Sequence, residues 1–164
     1  MPLQASPHWR RSRYGLIGFW FGSLMAGWLA LRLTLFFCFR PSHLPLSDVL
    51  LAFLSGFARD VLPGVWLTLP LLFWLWLIPE RWLRATWHRW LFWSVCAVFW
   101  AAQVFQWAAG YYFFDEFRSR FNAVAVDYLI YPKDVFVNIW ESYHVAVVVV
   151  VCALLGTSWA LAAR

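Results

Sequence analysis

Residues 111–143 read YYFFDEFRSRFNAVAVDYLIYPKDVFVNIWESY. Eight charged side chains stand in this stretch: Asp115, Glu116, Arg118, Arg120, Asp127, Lys133, Asp134 and Glu141. They alternate with aromatic and branched residues. Phe113, Phe117, Phe121, Val124 and Tyr128 follow one another at steps of four, four, three and four. That spacing puts them on one side of a helix. Pro132 stops that helix and suits the first turn of another. Val135, Phe136, Ile139, Trp140 and Tyr143 give the second piece its own apolar stripe. The pattern predicts two short amphipathic helices lying along a membrane surface. The alternative is a solvent loop between two spans, which the aromatic density disfavours.

Around this stretch the chain is strongly apolar. Of its 164 residues 63% are hydrophobic, 22% aromatic and 13% charged. A soluble domain carries about 25% charged residues, so this chain cannot clothe itself in hydrated side chains. Its fourteen tryptophans suit the bilayer interface, where one indole edge is apolar and the other wet. The net charge of +5 does not indicate a nucleic-acid partner. The basic residues sit in short clusters beside apolar runs, as the orientation rule for membrane helices expects.

The fold class expected is all-α: a polytopic membrane protein with four transmembrane helices and an external amphipathic pair. Residues 1–13 form a basic tail, and the first span is 14–39. Gly18, Gly22 and Ala26 offer it a small-residue packing face, or are ordinary membrane glycines and alanine. Arg32 lies seven residues before its outer end. It either snorkels to the headgroups or belongs to a site. The apolar run over 48–79 is too long for one simple span. Arg59, Asp60 and Pro63 divide it into a crossing part at about 60–79 and an outer piece at 48–58, an extension or a re-entrant half-helix. Arg59 and Asp60 carry two readings: a phosphate-headgroup pocket with Arg59 donating and Asp60 orienting it, or a self-neutralising pair that pins the helix. The third span is 90–114, the interfacial helices 115–141, and the fourth span 145–163. Gln103 and Gln106 read as hydrogen-bonding groups toward a neighbouring helix.

Lys and Arg counts set the orientation. Arg10, Arg11 and Arg13 in the tail and Arg81, Arg84 and Arg89 in the second connector outnumber Arg40 in the first. The tail and second connector are therefore expected in the cytoplasm and the first connector outside. Residues 111–143 carry three basic and five acidic groups, a weak vote by themselves, and their neighbours place them outside. The apolar run after the tail is too long for a secretory signal. Cys38, Cys96 and Cys152 lack metal-ligand spacing and read as small apolar fillers. His8, His43, His88 and His144 fall in four separate segments. No catalytic constellation and no metal site is expected in this chain. Asp127 follows an apolar run, where a half-buried carboxylate needs a partner such as Arg118 or Arg120.

The segment EFRSRFNAVAVDYLIYPKDVFVNIWESY resembles the signature that follows the third span in the lipoteichoic acid synthase family of sulfatase-like phosphoglycerol transferases. The matching residues include Glu116, Phe117, Ser119, Arg120, Phe121, Asn122, Asp127 and Tyr128, then Asn138, Ile139, Glu141, Ser142 and Tyr143. Gly56 and Asp60 in GFARD resemble a glycine–acid element of the family's second span. His144 stands where the family pattern has proline. The family has five spans followed by an external domain of alkaline-phosphatase type, in which a metal-activated threonine takes a phosphoglycerol group from a phospholipid. The resemblance therefore implies a membrane-anchoring, lipid-presenting N-terminal region in a bacterial inner membrane. The catalytic domain, and the divalent metal such as manganese that it needs, would lie outside these residues. It also implies phosphate contacts at Arg118, Arg120 and Arg59, with Asp127 orienting an arginine. The partners expected are membrane phospholipids and a catalytic domain or partner membrane protein. The alternative is a stand-alone inner-membrane interaction protein that packs through Gly18 and Gly22. Whether these residues have an activity of their own is left open.

Overall fold

The computed structural model describes residues 15–40, 45–119, 133, 137, 139–141 and 144–164. Its helices are α1 (Gly15–Phe39), α2 (Leu46–Leu77), α3 (Glu80–Leu83), α4 (Thr86–Phe117) and α5 (Val145–Ala163). There is no strand among the described residues. Four of the helices, α1, α2, α4 and α5, are long and apolar enough to cross a membrane, with 25, 32, 32 and 19 residues. At about 1.5 Å per residue these are roughly 37, 48, 48 and 28 Å long, against an apolar core of about 30 Å. The all-α, four-span architecture expected from the sequence is what the chain has. The interfacial pair expected at 115–141 lies mostly outside the described residues. Positions 115–117 close α4, and the isolated positions 133, 137 and 139–141 are helical and exposed.

Apolar side chains face outward along every span. Leu33 and Phe37 on α1, Leu54, Trp66 and Trp76 on α2, and Val150 and Leu154 on α5 are all exposed. In water such continuous patches are untenable; against acyl chains they are the lipid-facing surface.

The run expected to divide near Arg59–Pro63 is one unbroken helix, so residues 48–58 extend the span continuously. Pro63 and Pro70 both lie inside α2. Each removes a single amide donor, at the carbonyls of Arg59 and Trp66, and the helix continues through both. The turn between them is braced by Thr68, whose Oγ1 donates to the Gly64 carbonyl at 2.7 Å. The helix stops at Ile78, whose backbone is extended (φ −82°, ψ 125°). Pro79, also extended, then leads into the four-residue α3. Trp74 Nε1 donates to His88 Nε2 at 3.2 Å across this connector. His88 is 2% exposed and Trp87 packs edge-on against it.

The chain divides into two compact units. One runs through Leu91 and includes Ala163–Arg164; the other is Phe92–Ala162. In the first, α1 and α2 pack antiparallel. Gly64 faces Phe21, Met25 and Trp28, and a Cβ there would stand 2.8 Å from Met25 Cε and 3.0 Å from Phe21 Cε2. Farther along, Phe36 meets Phe53 edge-on at 5.6 Å. The face α1 uses is thus Phe21, Met25, Trp28, Arg32 and Phe36. Gly18, Gly22 and Ala26 are exposed, and an added Cβ at either glycine would meet nothing within 4 Å among the described residues.

The second unit joins α4 to α5 by small residues. A Cβ on Gly156 would stand 2.5 Å from both the Ala97 oxygen and the Ala101 nitrogen. The two backbones therefore touch. Beside them Trp100 stacks on Trp159, with ring centroids 4.4 Å apart and planes at 25°. Cys96 and Cys152 are buried, as expected of fillers, whereas Cys38 on α1 is exposed.

Candidate functional site

Ala52, Gly56, Asp60, Gly64 and Thr68 recur at intervals of four along α2, so they share one face of that helix. Arg32 of α1 lies across it. Its Nη2 donates to Asp60 Oδ2 at 2.5 Å and its Nη1 to the Ala52 carbonyl at 3.4 Å. Ser55 Oγ reaches the same carbonyl at 3.2 Å. Gly56 is the seat that makes this possible: any Cβ there would overlap the Arg32 guanidinium. The ion pair is largely shielded, with side-chain exposures of 14% for Arg32 and 16% for Asp60.

An unpaired Arg or Asp costs up to about 2.5–3.5 kcal/mol at the centre of a span and less toward its ends. Pairing removes most of that penalty by satisfying both groups at once. Both readings of the Arg59–Asp60 neighbours matched the carboxylate with Arg59, yet it is matched with Arg32. The reason is angular. Adjacent helical residues point about 100° apart, so a carboxylate turned toward α1 leaves its neighbour on another side. Arg59 is accordingly exposed. No ion pair or hydrogen bond engages its guanidinium among the described residues.

Arg118 stands just beyond α4. Its backbone is left-handed (φ 51°), the only non-glycine residue with positive φ among those described. Its guanidinium lies 3.8 Å from Asp115 Oδ1, with side-chain exposures of 66% and 54%. Such an exposed pair contributes at most about 1 kcal/mol and leaves Arg118 accessible. The left-handed residue ends the helix and turns the chain after the aromatic run Tyr111, Tyr112, Phe113, Phe114 and Phe117. Arg120 and Asp127 lie outside the described residues. Of the four expected contact residues, the structure thus locates Arg59 and Arg118, in different units.

Gln103 is 7% exposed and its Oε1 is without a hydrogen-bond partner, as is Trp107 Nε1 one turn on. The helix contact expected of Gln103 is therefore not made through its oxygen. Gln106 is exposed. Among the described residues no three His, Cys, Asp or Glu side chains converge to hold a metal.

The Arg32–Gly56–Asp60 seat is the feature that sequence reasoning missed. Its signal was present in the four-residue ladder of small residues interrupted by one acid, opposite a span carrying one arginine. Charge complementarity between spans would have joined them. Compared with family models, curated proteins and solved structures, the chain matches none.

Proposed function

We propose that this chain is a membrane-anchoring, lipid-presenting domain of a sulfatase-like headgroup transferase, held in a bacterial inner membrane. Its N-terminus is cytoplasmic and residues 111–143 lie outside. In this reading Arg118, Arg120 and Arg59 contact lipid phosphate, and Asp127 orients an arginine. The transfer chemistry and its divalent metal belong to a catalytic domain beyond these residues. One observation carries the reading. Arg118 is accessible where α4 ends, directly after an aromatic run, and the family-like segment continues from it. A guanidinium beside interfacial aromatics is placed to meet headgroups. Purified chain in neutral micelles provides the test. Arg118→Ala and Arg120→Ala are expected to weaken binding of phosphatidylglycerol about tenfold, the worth of one charge-assisted hydrogen bond. Unchanged binding in both variants overturns the headgroup role.

The open face at Gly18 and Gly22 favours a second reading, a protein that packs against another membrane chain. Loss of a cross-linked species in Gly22→Leu supports it; cross-linking unchanged from the parent removes it.

A further inference from the structure

Asp60 is committed to Arg32, so the charge beside it is unbalanced. Arg32, Asp60 and Arg59 together carry one net positive charge at one level of α2. Arg59 is eighteen residues before Leu77, roughly 27 Å along the helix. Leu77 is followed by the basic connector Arg81, Arg84 and Arg89. A band of about 30 Å measured from that end closes near residue 58, which puts Arg59 at its opposite boundary. An exposed guanidinium there, on a helix flanked by Phe57 and Leu62, needs an anion or water to satisfy five N–H donors.

We infer that Arg59 binds a singly charged phosphate group, and that Arg32 is a positioning residue that makes this possible by occupying Asp60. With Arg32 absent, the Asp60 carboxylate is released one residue from the binding guanidinium. It then either captures Arg59 or repels the phosphate. Gly56 completes the device, because a Cβ there would overlap the guanidinium in the pose from which Arg32 reaches Asp60. The same chemistry serves a lipid headgroup or free phosphate. The inference rests on reading the chain as a lipid-binding membrane domain, not on any family.

The charge logic yields a pattern that packing alone does not. Full-length chain in neutral micelles is titrated with short-chain phosphatidylglycerol and, separately, phosphatidylcholine. The parent is expected to prefer the anionic lipid about tenfold or more. Arg59→Gln and Arg32→Met each leave no net charge and lose the preference. The double variant Arg32→Met/Asp60→Asn regains one positive charge and recovers it. Binding is compared in the folded fraction of each variant, because a merely structural ion pair is also relieved in the double variant. Preference lost in folded Arg32→Met and recovered in the double variant is what the charge balance produces. Arg59→Gln alters an exposed side chain and is expected to melt with the parent, so its result stands even where the Arg32 variants fold poorly. Preference retained in Arg59→Gln overturns the inference, as does a double variant that folds yet binds as weakly as Arg32→Met. Competition with inorganic phosphate identifies the source. Displacement of lipid marks a site for the phosphate itself, and persistence of lipid marks one that also needs the acyl chains; both uphold it. The titrations are made in an Arg118→Ala/Arg120→Ala background, where the remaining preference belongs to this seat, so the contacts at Arg118 and Arg120 can fail while this seat holds, and the reverse.

Discussion

At the scale of single residues, a charge that sits within a span is read most safely by asking which helix it faces. Gly56 makes the point. An added methyl group would occupy the volume of the Arg32 guanidinium, so Gly56→Ala should push Arg32 off Asp60. The expected cost is about 1–3 kcal/mol, as for overpacked sites generally, read as a lowered unfolding midpoint in micelles. The cost should largely vanish in an Arg32→Met background, where the obstructed group is gone. A cost that persists undiminished there would show that Gly56 serves the helix backbone and not the arginine. Arg32→Met and Asp60→Asn follow the same logic. Each alone should destabilise by about 3 kcal/mol, whereas the pair removed together should cost far less, because no charge is left stranded. None of this was legible from the adjacency of Arg59 and Asp60, which suggested a local pair. Sequence neighbours do not face one another on a helix. The true partner, Arg32, lies twenty-eight positions away in another span.

Helices repeat that lesson. The four spans could be seen in the sequence because a bilayer demands long apolar runs, and length with composition is enough to find them. Which face of each span meets a neighbour was less visible. Gly18, Gly22 and Ala26 announce that a backbone can approach α1, but among the described residues none does so at either glycine; α2 is met by Phe21, Met25, Trp28, Arg32 and Phe36 instead. The intimate backbone contact falls at Gly156, which carries no GxxxG signature. Gly156→Val should therefore destabilise α4–α5 packing by about 3 kcal/mol or more, since its neighbours are main-chain atoms of Ala97 and Ala101 that cannot rotate away. Gly22→Ala, with open space around it, should change stability by less than about 1 kcal/mol. Thermal melts of the two variants beside the parent decide it, and equal effects would mean that the α4–α5 approach is not tight. The prolines teach a related point. Pro63 suggested a break, yet α2 runs through it, because in a low-dielectric surround one missing amide bond is cheaper than exposing a whole opened turn.

At the scale of the whole molecule, what places the chain in a membrane is distinct from what orients it there. Apolar length does the first and says nothing of direction. Direction rests on a few arginines: Arg10, Arg11, Arg13, Arg81, Arg84 and Arg89 against Arg40. In the orientation proposed above, this asymmetry would keep the α2–α4 connector in the cytoplasm and carry residues 111–143 to the opposite side. Two exposed positions report the two sides. Arg84 lies just after α3 with 83% of its side chain accessible, and Lys133 is exposed in the long segment before α5. In a background where Cys38, Cys96 and Cys152 are replaced, Lys133→Cys should react with a membrane-impermeant maleimide on intact cells stripped of outer barriers. Arg84→Cys should react only after the membrane is permeabilised. The reverse pattern would invert the orientation and put Arg118 and Arg59 on the cytoplasmic side, away from any external headgroup chemistry. Labelling of both sites in intact cells would mean that α4 does not cross, since it is the one candidate span between them among the described residues. The experiment therefore probes the direction of the charge rule and the crossing of α4 together, and each wrong answer removes a different part of the proposal.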